Sequence, residues 1–428
     1  MVDAIEVDST DNDSTENDST GNDSTGVAST EVDVLVVGGG LVGLTLANGL
    51  RGSRLSVLVI DSQPVPRASA PAAAARQGFA LASGCSPRVS AINLASQALL
   101  QRLGAWPADP ARQCAFTGMR VWDSRGTAAI EFNSDLTRAD HLGSIVENQL
   151  LTAALYQQAL GLAETELRYD CGLASVVADG AGYRVQLQDG SEIRCRLLVG
   201  ADGGASRVRE LAQIKTLEWS YEQAAMVTTI ETEMPHGGIA RQCFTATGPL
   251  AFLPLPNPHL CSVVWSTAAT DELLGLGDED LCQRLSRASE GVLGKVLGVD
   301  RRFSFPLRQR HALRYVKAGL ALIGDAAHTI HPLAGQGANL GFADAQALAL
   351  ALQQCRFDET SPGDLAVLQR YERSRRAANL LMTATMEGFK RIFDTGDPGV
   401  NWLRNLGVSL LERQGTLKAM VARLATGS

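Results

Sequence analysis

The sequence predicts an α/β protein in which a parallel sheet is combined with a second, mixed or antiparallel sheet and with helices at the C-terminal end. Two stretches, residues 32–61 and 319–352, each contain a buried-strand pattern, a glycine-rich turn and a helix-compatible segment. Between them, residues 217–305 form short runs of alternating apolar and polar positions, which are typical of antiparallel strands. With 428 residues, of which 45% are hydrophobic, the chain is long enough for two closely joined domains.

The pattern of residues 32–61 indicates a dinucleotide-binding βαβ unit. An apolar, β-branched run at Val34–Val37 is typical of a strand that is buried on both faces, and a helix-compatible stretch follows at Leu44–Leu50. A second apolar run, Leu55–Ile60, ends in Asp61. An acidic residue about twenty positions after the glycines completes the pattern.

The residue types of this turn fit the contacts that a dinucleotide requires. Gly38 permits a tight turn, Gly40 lets the backbone approach a pyrophosphate, and Gly43 lets the helix pack against the strand. The helix N-terminus offers free N–H groups to the phosphates, and Asp61 can accept hydrogen bonds from a ribose hydroxyl. We therefore expect a dinucleotide here, and the rest of the chain must decide which one.

The first thirty residues differ from the rest in composition. Residues 1–30 are an acidic five-residue repeat with eight acidic and no basic residues, which accounts for the whole net charge of −8. Such a tail cannot bury enough apolar surface to offset its ordering entropy, so we expect it to be disordered. The remaining chain is electrically balanced and gives no indication of nucleic-acid binding.

Targeting signals and cysteine usage favour a cytoplasmic location. The acidic tail has neither the basic start and apolar core of a signal peptide nor the arginine-rich composition of a transit peptide. No charge-free apolar segment has the length of a membrane span. The eight cysteines include no C-x-x-C pair and no cluster with histidine, so we expect reduced thiols and predict no metal site.

Two segments in the middle of the chain add candidate ligand contacts. Arg88 follows a loop rich in Pro, Ala and Ser and is either a phosphate ligand or a surface charge, and composition alone favours the second. A strand predicted at Ile193–Val199 runs into the sequence DGGASRVR, which begins at Asp202 and ends at Arg209. This places an acid, a flexible backbone and a basic residue at one sheet edge, where α/β proteins bind ligands.

The second landmark is residues 319–341. Gly319–Asp325 is predicted as a buried strand that ends in an acid suited to a ribityl-like chain. Pro332 and three glycines then let the backbone approach a flat ligand before a helix at about Ala338 to Leu352, whose N-terminus stabilises negative charge. A nicotinamide enzyme does not need this element, whereas reduced flavin carries negative charge. We therefore predict FAD as the resident cofactor.

With these motifs in place, the chain resembles a known family. GGGLVG, DGGASRVR and GDAAHTIHPLAGQGANLG resemble the three signatures of the single-component flavin aromatic hydroxylases. RVSAINLAS, LGAW, VENQLL and HPLAGQGANLG resemble the ubiquinone-biosynthesis hydroxylases in particular, especially those acting on a polyprenylated, methoxylated ring. The resemblance covers the chain from Glu31 to the C-terminus. At Ala343 the sequence departs from the family pattern N-L-G-x-R-D, which implies the loss of one surface contact.

The resemblance implies a domain organisation. An FAD-binding Rossmann-like domain of the glutathione-reductase type takes mainly residues 31–80, 81–215 and 306–352. Residues 216–305 mainly supply an interleaved sheet of the substrate domain, and residues 353–428 supply C-terminal helices.

The resemblance also implies cofactor contacts. The ADP half of FAD is expected to contact Gly38, Gly40, Gly43 and Asp61. The resemblance implies that Arg88 and Gln149 contact the phosphate and ribityl portion, and that Asp202 and Arg209 contact FAD and the nicotinamide donor. Asp325 is implied to contact ribityl. The residues implied to border the isoalloxazine are Pro332, Gly335, Gln336 and Gly337. His331 is the nearest candidate for a general base, but a structural role is favoured for it, and more strongly for His328.

The resemblance further implies the reaction. NAD(P)H would reduce FAD, O₂ would add at C4a, and the hydroperoxide would transfer oxygen to an electron-rich phenol or benzoquinol that carries a polyprenyl chain. Two alternatives stay open. The same fold serves monooxygenases and reductases of other aromatic metabolites, and an intact cofactor site is also compatible with a non-catalytic flavoprotein subunit of a biosynthetic complex.

The C-terminal end is basic. From Leu365 onward there are ten Lys or Arg and five Asp or Glu, and apolar residues recur with helical spacing. We expect helices that cap the substrate sheet or form a homo-oligomer. The alternative is a basic amphipathic surface that contacts anionic lipid, which would bring the enzyme to a polyprenyl substrate and to other proteins of the pathway.

Overall fold

The computed structural model describes residues 29–67, 88–124, 126, 129–136, 139–329, 337–355 and 360–394. The described residues form three β-sheets and eight α-helices. Residues 1–28, which contain nearly all of the acidic repeat, lie outside this part, as do residues 395–428.

The first sheet has eight strands and carries the largest core. Strands β19, β11, β1, β2 and β8 are parallel neighbours in that order, β18 pairs antiparallel with β19, and β9 and β10 form an antiparallel extension on β11. Its strands are β1 (Ser29–Val37), β2 (Val57–Ile60), β8 (Thr165–Arg168), β9 (Leu173–Asp179), β10 (Gly182–Leu187), β11 (Glu192–Gly200), β18 (Val316–Lys317) and β19 (Leu320–Leu322). Continuous apolar runs such as Val34–Val36 are fully buried, as expected for strands covered on both faces.

The second sheet has nine strands and is mixed. Its order is β20-β17-β12-β15-β14-β13-β5-β6, β16 pairs with β12, and only the β13–β5 pair is parallel. Its strands are β5 (Gly118–Asp123), β6 (Ala129–Asn133), β12 (Thr216–Thr232), β13 (Ile239–Thr245), β14 (Gly248–Pro254), β15 (Leu260–Thr267), β16 (Val296–Val299), β17 (Phe303–Ala312) and β20 (His328–Thr329). Strands β5, β6 and β20 come from residues 81–215 and 306–352, which the sequence assigns mainly to the cofactor domain, and the domain boundaries stay a prediction.

A third, small sheet is formed by three strands between residues 89 and 147. It is antiparallel in the order β3-β7-β4, with strands β3 (Val89–Asn93), β4 (Gln113–Phe116) and β7 (Gly143–Glu147). Phe116 and Ile145 pack with Leu253 and Leu260 of the second sheet in one apolar cluster.

The helices cover the sheets. They are α1 (Leu41–Gly49), α2 (Leu94–Arg102), α3 (Asn148–Leu160), α4 (Arg207–Leu211), α5 (Thr270–Gly275), α6 (Asp278–Ala288), α7 (Gly337–Gln353) and α8 (Leu365–Asp394). Leu281 and Leu285 of α6 pack on the second sheet, and Phe342 of α7 packs in the cluster formed with α1 and α3. None of the helices in the described ranges is both long and apolar enough to cross a bilayer.

The parallel sheet brings three distant segments together. The last residues of β1, β11 and β19 are direct neighbours, because Val37 pairs with Gly200 and Gly200 pairs with Leu322. The strand predicted at Gly319–Asp325 is shorter than expected. It covers Leu320–Leu322 and cannot extend through Gly324, which takes a positive φ of 58° at the start of the 3-10 turn Gly324–Ala326.

Candidate functional site

Glycine is required at two positions of the turn after β1. Gly38 has a φ of 114°, and a Cβ there would lie 2.3 Å from the carbonyl oxygen of Ala201. A Cβ at Gly43 would lie 1.9 Å from the carbonyl oxygen of Gly38. Side chains at these positions would collide with backbone rather than with movable atoms. The tight turn and the close packing of α1 on β1 are therefore the reasons for these two glycines.

Gly40 differs from these two glycines. Among the described residues, a Cβ at Gly40 would meet no atom within 4 Å, and Gly40 caps the start of α1 without any side-chain hydrogen bond. The first N–H groups of α1 are therefore not capped by a side chain, which is the arrangement that binds a phosphate at a helix N-terminus. This part of the chain fits the pyrophosphate of a dinucleotide.

Asp61 holds the same turn from β2. Its Oδ2 accepts a hydrogen bond from the Gly39 N–H at 2.7 Å, and its Oδ1 accepts one from the Gln63 N–H at 2.8 Å. Each carboxylate oxygen has a second lone pair, so Asp61 can still accept a ribose hydroxyl.

Tyr169 completes the turn and was not identified from the sequence. Its hydroxyl donates to the carbonyl oxygen of Gly39 at 2.9 Å, and a Cβ at Gly39 would lie 2.5 Å from that hydroxyl oxygen. Burial, followed by the charge of Asp61, raises the pKa of Tyr169. The middle glycine of the run of three, Gly39, was the available signal, because a residue that must lack a side chain implies a close neighbour.

Arg88 and Gln149 lie near each other at the ends of β3 and β7. The carbonyl oxygen of Arg88 accepts a hydrogen bond from the N–H of Asn148, the first residue of α3, and Gln149 is exposed next to it. The guanidinium carbon of Arg88 lies 4.3 Å from the centre of the Phe305 ring in β17. Arg88 therefore links the small sheet to the second sheet through a cation–π contact, and its contact with a cofactor phosphate stays a prediction.

Asp202 and Arg209 organise the segment after β11. Asp202 Oδ2 accepts from the N–H groups of Arg207 and Val208 at 2.7 and 3.1 Å, while its Oδ1 is buried without a hydrogen-bond partner among the described residues. A buried acceptor without a partner is an anomaly that a bound ligand hydroxyl would remove. Asp202 therefore fits a cofactor contact.

The Arg209 side chain is used inside the protein. It is buried and donates to the carbonyl oxygen of Ala326 at 2.8 Å and to that of Gly204 at 2.7 Å. Burial, followed by the nearby charge of Arg310, lowers the pKa of the guanidinium. Arg209 thus joins the second segment to the third, and its expected contact with the cofactor or the nicotinamide donor stays a prediction.

The third segment contains Asp325 at the first turn after β19. Its side chain is exposed to solvent. Desolvation by nearby protein atoms, together with the charge of Asp344, raises the pKa of the Asp325 carboxyl. Gly337 begins α7. The other predicted residues of this segment lie outside the described residues: His331, Pro332, Gly335 and Gln336.

Two further side chains fix this segment and were missed from the sequence. Asn339, in the first turn of α7, donates to the carbonyl oxygen of Ala91 at 2.8 Å and accepts from the N–H of Asn93 at 3.0 Å. Asp344 is fully buried and hydrogen-bonded to His328. His328 thus has a structural partner, as favoured by the sequence. The patterns carried no signal for these partners, because each bond joins residues that are distant in sequence or on different elements.

Together the three segments offer, at one sheet edge, a helix N-terminus and three acids, of which Asp61 and Asp202 have remaining acceptor sites. This is a donor and acceptor set for a dinucleotide with a sugar-alcohol chain. Comparison with known proteins agrees: a family model described as FAD binding domain matches residues 87–385, and one described as NAD(P)-binding Rossmann-like domain matches residues 36–87.

Full-length relatives identify the family more closely. The chain is 36% identical to the 3-demethoxyubiquinol 3-hydroxylase of Escherichia coli strain K12, across 92% of this chain and 98% of that protein. The chain belongs to the FAD-dependent ubiquinone-biosynthesis hydroxylases. It is 38% identical to the ubiquinone hydroxylase UbiL of Rhodospirillum rubrum, across 92% of this chain and 90% of that protein. It is 32% identical to the human mitochondrial ubiquinone biosynthesis monooxygenase COQ6, across 92% of both.

Solved structures confirm the fold. pqsL, a probable FAD-dependent monooxygenase from Pseudomonas aeruginosa, superposes with a TM-score of 0.71 at 24% identity, covering 89% of this chain and 100% of that one. The p-nitrophenol 4-monooxygenase PnpA from Pseudomonas putida DLL-E4 gives 0.73 at 18% identity, covering 93% and 99%. The predicted α/β class with an FAD-binding Rossmann-like domain is therefore confirmed, and this member of the family is an FAD-dependent oxidoreductase of the monooxygenase type.

Proposed function

We propose that this protein hydroxylates the aromatic ring of a polyprenylated phenol or benzoquinol intermediate of ubiquinone biosynthesis, with NAD(P)H as electron donor and O₂ as oxidant. The observation that carries the proposal is the extent of the similarity. The ubiquinone hydroxylases match over 92% of the chain, so the match includes the second sheet as well as the cofactor-binding segments.

The chain's own residues divide the binding of FAD between the three segments. The uncapped N-terminus of α1 takes the pyrophosphate, and Asp61 takes the adenosine ribose. Asp202 and Asp325 take hydroxyl groups of the ribityl chain. Bound FAD would accept electrons from NAD(P)H and would activate O₂.

One face of the second sheet supplies a wall for the aromatic substrate. Residues opposite each other in an antiparallel pair share a face, and Ala225 pairs with Phe305. The adjacent residue Met226 lies on the other face, in the cluster that α6 covers. The face that carries Phe305 is therefore available to the substrate. Because Arg88 contacts the Phe305 ring, this face lies beside the cofactor-binding segments. Apolar side chains on this face exclude water from the reaction.

Within the third segment, His331 is kept as the candidate proton acceptor for the ring hydroxyl. Replacing His331 by Gln tests this assignment. If His331 is the base, kcat falls and its dependence on pH flattens, while FAD content is unchanged. A variant with an unaltered pH profile would assign His331 to structure alone.

The first experiment is NAD(P)H oxidation under air by the purified protein, with and without a short-chain methoxyphenol. Peroxide and hydroxylated product are followed together, and the matching ether without a free ring hydroxyl is the control. We expect the phenol to stimulate oxidation and to be hydroxylated. Stimulated oxidation that yields only peroxide would favour a reductase. If NAD(P)H never reduces the bound flavin, whatever ring compound is added, the result would favour a non-catalytic assembly subunit.

The C-terminal end is proposed to contact anionic lipid. In the described part, Leu380 and Leu381 of α8 are exposed one turn after a stretch that contains Arg370, Arg373 and Arg376. Apolar and basic side chains on one helix suit an anionic bilayer surface, where a polyprenyl substrate resides. Vesicle flotation at two salt concentrations tests this contact. Absence of flotation at low salt would leave oligomerisation, measured by light scattering, as the use of this surface.

A further inference from the structure

We propose that Asp344 is a positioning residue that couples helix α8 to the cofactor turn Gly324–Asp325. This inference rests on the proposed function, because it assumes that Asp325 contacts bound FAD. Its own content is separate from that assumption: the C-terminal helix sets the geometry of the turn, and the turn sets the environment of the flavin.

One carboxylate oxygen of Asp344 serves the cofactor side. Its Oδ2 accepts from the Gly324 N–H at 3.1 Å and from Nε2 of His328. Gly324 precedes Asp325 directly and has a positive φ, so its amide orientation decides the direction in which the Asp325 side chain leaves the turn. His328 follows three residues after Asp325. Asp344 therefore holds the turn on both sides of the predicted ribityl contact.

The other carboxylate oxygen serves α8. Asp344 Oδ1 accepts from Nε of Arg375 at 2.8 Å and from Nδ2 of Asn379 at 3.1 Å. The same two residues are joined to each other, because Nη2 of Arg375 donates to Oδ1 of Asn379 at 2.8 Å. A carboxylate offers about four acceptor sites, and two donors on each oxygen fill them. Asp344 has no acceptor left for a ligand, so it acts through its partners and is not a catalytic residue.

A third contact shows that the α8 residues that hold this region lie on one face of the helix. Tyr371, Arg375 and Asn379 are spaced four residues apart and share a helix face. The hydroxyl of Tyr371 donates to the carbonyl oxygen of Leu322, the last residue of β19, at 2.8 Å. Three successive turns of α8 thus hold β19 and the turn that follows it. A shift of α8 along its axis would be transmitted to Asp325.

The test compares variants on this face with a control on the same helix. Asp344→Asn keeps the size of the side chain but loses two acceptor sites and the charge. Tyr371→Phe removes only the hydroxyl bond to β19, so it serves if Asp344→Asn fails to fold. Gln369→Ala is the control, because Gln369 is an exposed residue of the same helix and has no part in the contacts described above.

The readouts are the visible absorption and circular dichroism of bound flavin, its midpoint potential, and kcat and KM for NAD(P)H oxidation. We expect Asp344→Asn to shift the flavin spectrum and potential and to lower kcat by roughly two- to thirtyfold. Tyr371→Phe should shift them in the same direction by less, and Gln369→Ala should match the wild type. Arg375→Gln combined with Asp344→Asn should change the potential by less than the sum of the two single changes.

Failure of the proposed function and failure of the proposed coupling would give different results. Wild-type protein that binds no FAD would refute the proposed function. Wild-type protein that binds FAD, with Asp344→Asn and Tyr371→Phe losing thermal stability while the flavin spectrum, potential and kcat stay unchanged, would overturn the coupling and leave Asp344 as a purely structural residue.

Discussion

The glycine turn after β1 and the turn after β19 lie at the same edge of the parallel sheet, but different interactions hold them. Backbone geometry specifies the first: Gly38 and Gly43 allow contacts that no side chain permits, and Asp61 bonds a neighbouring amide. Side chains from two later helices specify the second, through the buried Asp344 and the partly buried Arg375. The first turn is therefore a local structure, and the second depends on tertiary packing.

This difference has an energetic consequence. When a glycine of the first turn is replaced by a bulkier residue, the backbone must distort, because no alternative arrangement is available nearby. A buried ion pair contributes little net stability while complete, but it becomes costly when one partner is removed. The second turn is thus stable only as a complete network, and it can respond to a change in α8.

The largest expected effect is on the first turn. Gly43→Ala places a Cβ where the Gly38 carbonyl oxygen lies, so we expect the free energy of unfolding to fall by more than about 4 kcal/mol and FAD to be lost. Chemical denaturation and flavin content measure this. Gly40→Ala is the matched control. Its Cβ has open space, so stability should fall by about 1 kcal/mol or less, while the dissociation constant for FAD rises. Equal destabilisation by both changes would contradict the assignment.

The second turn should give the next largest effect. Arg375→Ala removes a partner from the fully buried Asp344, and we expect a loss of roughly 3–5 kcal/mol in the free energy of unfolding. Arg373→Ala, two residues earlier on the exposed side, should change it by less than about 0.5 kcal/mol. Comparable effects of the two substitutions would show that α8 is not linked to the turn through this charge.

Lowering the pH should weaken the second turn, which depends on the charge of Asp344, and so sharpen the difference between the two turns. Burial opposes ionisation of Asp344, but His328 and Arg375 outweigh it, and the pKa of the carboxyl lies below its usual value. A depressed pKa contributes stability above the pKa of the unfolded chain, about 3.9, and this contribution is lost as the pH falls through the folded-state value. The stability gap between wild type and Asp344→Asn should thus be constant near neutral pH and narrow in acid. Denaturation curves from pH 7 to pH 3 test this: a gap independent of pH would mean that folding leaves the pKa of Asp344 unchanged, and a gap that widens in acid would mean that folding raises it.

The smallest effect is expected for Tyr169. Tyr169→Phe removes one hydrogen bond to Gly39 and keeps the edge contact with Tyr156, so the loss should be about 1 kcal/mol. Thermal unfolding measures it, and FAD affinity should change little. A loss as large as that of Arg375→Ala would mean that side chains hold the first turn as well, and the comparison would fail.

The sequence predicted those parts of the protein that are determined by neighbours in the chain. The βαβ unit, the strand predicted at Ile193–Val199 and helix α7 all follow from local periodicity, and they are observed within a few residues of the prediction. Pairing between distant strands was not predictable in this way. The parallel pair of β5 with β13 brings residues 118–123 beside 239–244, and no short pattern marks that partnership.

The site shows the same division. Gly38, Gly43 and Asp61 could be assigned roles from spacing alone. Asp344 could not, because its partners lie 16 and 31 residues away on other elements and its burial depends on all of them. The departure at Ala343 implied only a lost surface contact, whereas the residue next to it anchors the turn.

The central position of β11 bears on how the chain is made. This strand pairs with β1, β10 and β19, so the parallel sheet cannot close until residue 322 has been synthesised. At the usual speed of synthesis, β1 therefore waits roughly 15 to 60 seconds after its own translation for the last of these strands. During that interval the apolar edge of β1 and β2 is open to other chains. Shielding of the nascent chain by chaperones, rather than the stability of the finished sheet, should then set the yield of folded protein.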